Sequence, residues 1–182
     1  MVKTLRNARN LSGGFSLLEL VLVIGIIVLL LVIAVNKLLP LRIDAERTAM
    51  ENVLGALKSA LSIEVAAHVA KGKIPALTAL VDTNPMRRLS ETPNNYVGEL
   101  DAPDPAAVEG GQWYFDLHDR TLVYRVSNVE YFKTSLTGPA RARFAVRLDY
   151  DDMNDNGRFD NGVDAIRGVR LEALEAYSWI NR

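Results

Sequence analysis

From Leu20 to Val35 the chain carries no charged or strongly polar side chain. Counted from Phe15, the segment FSLLELVLVIGIIVLLLVIAV is 21 residues long. At about 1.5 Å per residue it makes a helix of roughly 31 Å, close to the hydrocarbon thickness of a bilayer. It is therefore expected to cross a membrane once. Lys3, Arg6 and Arg9 are the only charged side chains in residues 1–14, all positive. A basic flank of this kind stays cytoplasmic, which places the rest of the chain on the far side.

Three accounts of the segment compete. A secretory signal needs a small-residue cleavage site just after the apolar run. Here the run continues into Ala34-Val35-Asn36-Lys37-Leu38-Leu39-Pro40, a poor site. A plain, uncut signal anchor is the second account. The third uses two features that an anchor does not need. Gly13-Gly14 stands before the apolar run, where a flexible, unshielded backbone suits entry into a protease. Glu19 puts an ionisable group inside the span, at about 2.5–3.5 kcal/mol on insertion scales, and such groups tend to mark function.

Read together, GGFSLLELVLVIGIIVLLLVIAV resembles the class III signal of type IV pilins and type II secretion pseudopilins. In that family a short basic leader ends in Gly, followed by Phe and, four residues later, by Glu. Residues 1–40 match this pattern closely. The resemblance implies that a prepilin peptidase cuts between Gly14 and Phe15 and methylates the new Phe15 amine. It also implies that Glu19 pairs with the Phe15 amine of a neighbouring subunit. A buried carboxylate must find a cation or a proton. The pair would then set the axial register between helices more than it would add stability. Other implied partners are sibling subunits, the inner membrane, and the assembly platform and secretin of the machine. The head would lie in the periplasm.

Beyond the leader, 1–14, and the membrane or filament-core helix, 15–40, an amphipathic helix is expected over 41–72. Pro40 lacks an N–H and predicts a kink or local unwinding. Ile43, Met50, Val53, Leu54, Leu57, Leu61 and Val65 form one apolar stripe, with Asp44, Glu46, Arg47, Glu51, Lys58 and Glu64 elsewhere. Gly72, flanked by Lys71 and Lys73 and followed by Pro75, marks the stop. Residues 75–110 are rich in Pro, Asn and Gly and read as a connection. Strands follow at Gln112–Asp116, Thr121–Val126 and Arg141–Asp149. Gly168–Tyr177 reads as a fourth, although its Leu, Glu and Ala also suit a helix. The expected fold class is α+β and pilin-like, a long N-terminal helix packed on three or four antiparallel strands, with 73–182 as the globular part.

A formal net charge of −1 and the lack of a basic stripe point to no nucleic-acid partner. The chain has no Cys, which removes disulfides and thiolate chemistry. His68 and His118 are isolated, no nucleophile elbow is present, and no enzyme is expected.

The remaining candidate site is the loop 149–164. Asp152, Asn154, Asn156, Gly157 and Asp160 fall at positions 1, 3, 5, 6 and 9 of an EF-hand-type loop. Arg158 could offer its backbone carbonyl. Val163 stands where the bidentate Glu belongs, and Asp164 is one residue later. Two readings stand here: a structural calcium ion, or a solvated Asx-rich turn. Five Asp between Asp149 and Asp160 and the lack of a disulfide favour calcium. In the resembling family, a calcium or a disulfide closes this part of the head.

Overall fold

The computed structural model describes residues 16–180. Helix α1 runs from Leu17 to Ala70. The chain divides at Leu41/Arg42 into two compact units. The first contains the apolar stem of α1; the second contains its amphipathic half and seven strands.

The amphipathic half buries one stripe. Ile43, Met50, Leu54, Leu57 and Leu61 are all buried, with Leu57 fully so, and Val53 packs partly against the same core. These positions step by three, four or seven residues and so share one side of a 3.6-residue helix. The helix closes with paired hydrogen bonds, Lys73 N–H to His68 O at 2.9 Å and Gly72 N–H to Val69 O at 3.0 Å. Gly72 takes φ +64°, the left-handed conformation this closure requires. The stop signal at Gly72 thus acts two residues after the last helical residue. Of the kink or local unwinding expected at Pro40, the unwinding is not found: α1 runs unbroken through it. A missing proline N–H removes one intrahelical bond, and the bonds of the adjoining turns are enough to carry the helix on.

The main sheet has five strands in the order β1-β2-β3-β5-β6. They are β1 Tyr96–Leu100, β2 Trp113–Asp116, β3 Thr121–Arg125, β5 Arg141–Asp151 and β6 Ala165–Ala173. β2, β3, β5 and β6 are antiparallel neighbours, as expected. β1 is parallel to β2, so the sheet is mixed and larger than three or four antiparallel strands. A parallel pair needs a connection of about a dozen residues, and residues 101–112 supply it. Gly98, at φ +124° within a register shift, breaks the pattern that marks a strand in sequence. The segment 75–110 also holds short 3-10 turns at Ile74–Leu80, Pro85–Arg88 and Pro105–Ala107, so it is a structured connection.

Trp113 and Phe115 of β2, Leu122 and Tyr124 of β3, Phe144 and Val146 of β5, and Leu171 of β6 join the helix stripe in one core. The Trp113 ring lies 4.7 Å from Tyr124 and 6.0 Å from Phe144. On the opposite face, Tyr114 and Val123 pack with Leu100 and Val108. Ala142, Phe144 and Val146 face inward as the sequence alternation predicts. Ala145, the exception, is buried on the other face.

The segment 168–177 divides. β6 ends at Ala173, and the chain bends before β7, Tyr177–Trp179. β7 pairs with β4, Phe132–Thr134, in a separate two-stranded sheet. Phe132 stacks on Tyr177 at 5.5 Å and meets Trp179 edge-on at 5.0 Å. Ile180 N–H donates to Tyr131 O at 2.8 Å, so the strand is held just past its end.

Glu46 ties the helix to β3 and the turn beyond it. Glu46 Oε1 accepts from the Tyr124 hydroxyl at 3.1 Å and from Ser127 N–H at 2.6 Å. Its Oε2 accepts from Asn128 N–H at 2.9 Å and Asn128 Nδ2 at 2.5 Å. Burial, and then the Glu46 charge beside it, push the Tyr124 hydroxyl well above its ordinary pKa. Farther along, Glu99 accepts from Arg87 Nε and Nη2 at 2.7 Å each and from Asn84 Nδ2 at 2.7 Å. The Arg87 guanidinium, and next the Asn84 amide, hold the Glu99 carboxyl below its usual range.

Glu46→Ala should destabilise the head by about 2–4 kcal/mol, because donors gathered by one carboxylate lose it together. Thermal unfolding should show a Tm fall of roughly 5–15 °C. Alanine is the better helix former, so lost helix propensity cannot account for such a fall. For Glu99 the folded pKa is depressed, so its contribution is complete above the unfolded value of about 4.3 and is lost as pH falls through the folded value. An NMR titration should place its midpoint below that of an unfolded Glu. Arg87→Ala should move it back up.

Candidate functional site

The stem is built by composition. Leu17–Val35, 19 residues with a mean hydropathy of 3.3, contributes no buried residue within the structure. It is long and apolar enough to cross a membrane once, a test that a signal sequence also passes. The later segment Leu41–Ala70 passes on length and hydropathy too, at 1.4, but it supplies the stripe that covers the sheet. Glu19 lies in the first turn of α1, where a negative charge suits the helix N-terminus. Its side chain is exposed, and no hydrogen bond or ion pair engages it among the described residues. Gly14 and Phe15, the residues of the expected cut and methylation, lie outside the described residues.

The acidic loop joins β5 to β6 and is tied together by its own side chains. Asp152 Oδ1 accepts from Asn156 N–H at 3.2 Å, and its Oδ2 from Gly157 N–H at 2.6 Å. Asn154 Oδ1 accepts from Asn156 N–H at 3.2 Å, and Asn156 Oδ1 from Arg158 N–H at 2.8 Å. Asp164 spans the loop, accepting from Met153 N–H at 2.9 Å and from Asp160 N–H at 2.7 Å. Asp160 Oδ2 accepts from Asn154 Nδ2 at 3.0 Å and Asn156 Nδ2 at 2.5 Å. These two amides, Asn154 first, lower the Asp160 pKa. Gly157 makes the sharp turn at φ +74°. At the loop base, Tyr150 and Phe159 meet edge-on at 5.4 Å.

Asp152, Asn154, Asn156, Asp160 and Asp164 are thus brought into one network, while for Arg158 it is the N–H that takes part. Among the described residues no group of three or more His, Cys, Asp or Glu is placed to hold a metal ion. The donor set nevertheless fits a hard cation in its chemistry: three carboxylates and two amides whose oxygens suit calcium. Both Asn amides present nitrogen to Asp160, so taking a cation would require them to turn their oxygens inward. The repulsion among the acids is offset here by backbone N–H groups and by Arg167 and Arg170, paired with Asp151 and Asp149.

His68 Nδ1 lies 2.9 Å from Glu64 O, one turn back on α1. His118 sits in the β2–β3 turn, its N–H bonded to Asp116 Oδ1 at 2.9 Å. His118 also lines a shallow cleft of about 250 Å³ with Asp119, Tyr114, Arg141 and Arg143. There Arg143 is committed to Glu175 and Asp119. Glu46, off the apolar stripe in sequence, has no role assigned by the residue pattern. A signal for it existed: between Ile43 and Met50 the stripe skips a turn, and Glu46 stands where an apolar residue is due.

Comparison of the chain with protein-family models, with curated proteins and with solved structures finds no match.

Proposed function

We propose that this chain is an assembly subunit of a type IV pilus or a type II secretion pseudopilus. The observation that carries the reading is a fully exposed apolar helix with one early carboxylate, continuous with the helix that forms one wall of an α+β head. The GGF…E pattern before and within that helix supplies the chemistry. A peptidase cut between Gly14 and Phe15 frees an amine, which is then methylated. Glu19, which no hydrogen bond or ion pair engages among the described residues, takes that amine from a neighbouring subunit. An amine one turn away along the axis is reached only by a staggered neighbour, so the pair selects a helical stack over a flat cluster. Before assembly the stem sits in the inner membrane, with its basic leader cytoplasmic and its head periplasmic. The head is pilin-like, and its role is structural. A cytoplasmic motor, the assembly platform and the secretin do the remaining work.

In this reading the acidic loop holds a structural calcium ion through Asp152, Asn154, Asn156, Asp160 and Asp164, with the Arg158 carbonyl as a further donor. The ion supplies charge compensation and a fixed loop shape in a head that has no cysteine. What supports it is the oxygen-rich donor set on one short turn.

Mass spectrometry of protein purified from native membranes should show loss of residues 1–14 and one methyl group on Phe15. An intact N-terminus would instead identify an uncleaved, membrane-anchored binding or enzymatic domain. For the loop, millimolar calcium should raise the Tm of the head, and Asp152→Ala should abolish that rise. An unchanged Tm, or a rise that survives the substitution, removes calcium from the account and leaves the filament reading standing.

A further inference from the structure

The loop contains two Asn-Gly pairs, Asn156-Gly157 and Asn161-Gly162. Such pairs are prone to lose the Asn amide, because glycine has no Cβ to shield its backbone nitrogen. In the reaction the glycine nitrogen gives up its proton to solvent and attacks Asn Cγ. A ring C–N bond forms, the Cγ–Nδ2 bond breaks, and ammonia leaves. Water then opens the succinimide at either carbonyl, giving Asp or an isoaspartyl linkage. The balance needs only water. Two things set the rate: how readily the glycine N–H is deprotonated, and how freely the Asn side chain swings onto it.

At Asn156 both are opposed. The nucleophile, Gly157 N–H, is given to the Asp152 carboxylate at 2.6 Å, and an anion beside it disfavours its deprotonation. The electrophile is pinned at both ends, Oδ1 by Arg158 N–H at 2.8 Å and Nδ2 by Asp160 at 2.5 Å. At Asn161 neither holds. Its side chain and the Gly162 N–H make no hydrogen bond among the described residues, and both residues are exposed. Gly162 takes φ +87° in a turn, with open space around it. That turn must open for the ring to close. It is held by two backbone bonds to Asp160 O, from Val163 at 3.1 Å and from Asp164 at 3.0 Å.

We infer that Asn161 is a site of spontaneous deamidation and that Asn156 is protected from it while the loop is folded. The product adds a negative charge between Asp160 and Asp164. The isoaspartyl form also lengthens the backbone inside a tight turn. The protecting bonds are those of the metal-free loop, so the comparison is made with a chelator present.

Arg158 separates the two sites, so trypsin places them on different peptides, Leu148–Arg158 and Phe159–Arg167. The full chain, in detergent micelles and mildly alkaline buffer, is sampled over time and each peptide is scored for amide-to-acid conversion. Phe159–Arg167 should convert about tenfold faster than Leu148–Arg158, or more, because the charge-assisted bonds at Asn156 must first break. In denaturant the two rates should converge. In the folded chain Asp152→Ala should speed conversion at Asn156, and Asp152→Asn, which keeps one acceptor oxygen, should fall between. Equal rates in the folded wild type, or Asn156 ahead, would overturn the inference. So would an Asn161 that stays unconverted while the denatured chain converts at both sites.

Discussion

Glu46 sits at the start of the amphipathic half of α1 and collects donors from Tyr124, Ser127 and Asn128, at and just beyond the end of β3. Apolar packing alone leaves a helix some freedom to slide and rotate on a sheet, because burial has no direction. A carboxylate that must satisfy both oxygens has direction. It fixes the helix at one rotation and sets where the chain turns away after β3. The stripe from Ile43 to Leu61 then meets Trp113, Phe115, Leu122 and Phe144 in a defined register, and the rest of the head is arranged around that contact.

Much of this was legible in the sequence. The stem, the stripe, the β2–β3 hairpin and β5 carry strong periodic patterns, and the structure places them within a few residues of expectation. β1 was not legible. It is short, carries Gly98 in its middle, and pairs with a strand that follows it by a dozen residues, so its stability comes from a non-local partner. At Pro40 the local signal allows a kink or an unwinding, and intact turns on either side rule out the unwinding. At 168–177 both readings had a local basis, and pairing with β5 decided for strand up to Ala173.

The sites divide in the same way. Glu19 stands out in sequence because it is a charge in an apolar run. Glu46 was hidden because a charge on an amphipathic helix is the ordinary case, and only the gap in the stripe gave it away. In the acidic loop, a count of like charges leaves out the groups that surround them. Asx-type hydrogen bonds and two arginines from β6 offset much of that charge, which a sequence count does not see. The hydrogen bonds that tie the loop together, Asp152 to Asn156 and Gly157 among them, are visible only in the coordinates.

The small β4–β7 sheet brings the far end of the chain back against Tyr131 through three aromatic rings and a backbone hydrogen bond. With no cysteine in the chain, this clasp is noncovalent, and its strength is indifferent to whether its surroundings oxidise or reduce thiols. A head closed in this way needs no oxidase to mature. It can open and shut reversibly, as a thermal fluctuation, where a covalently closed one could not.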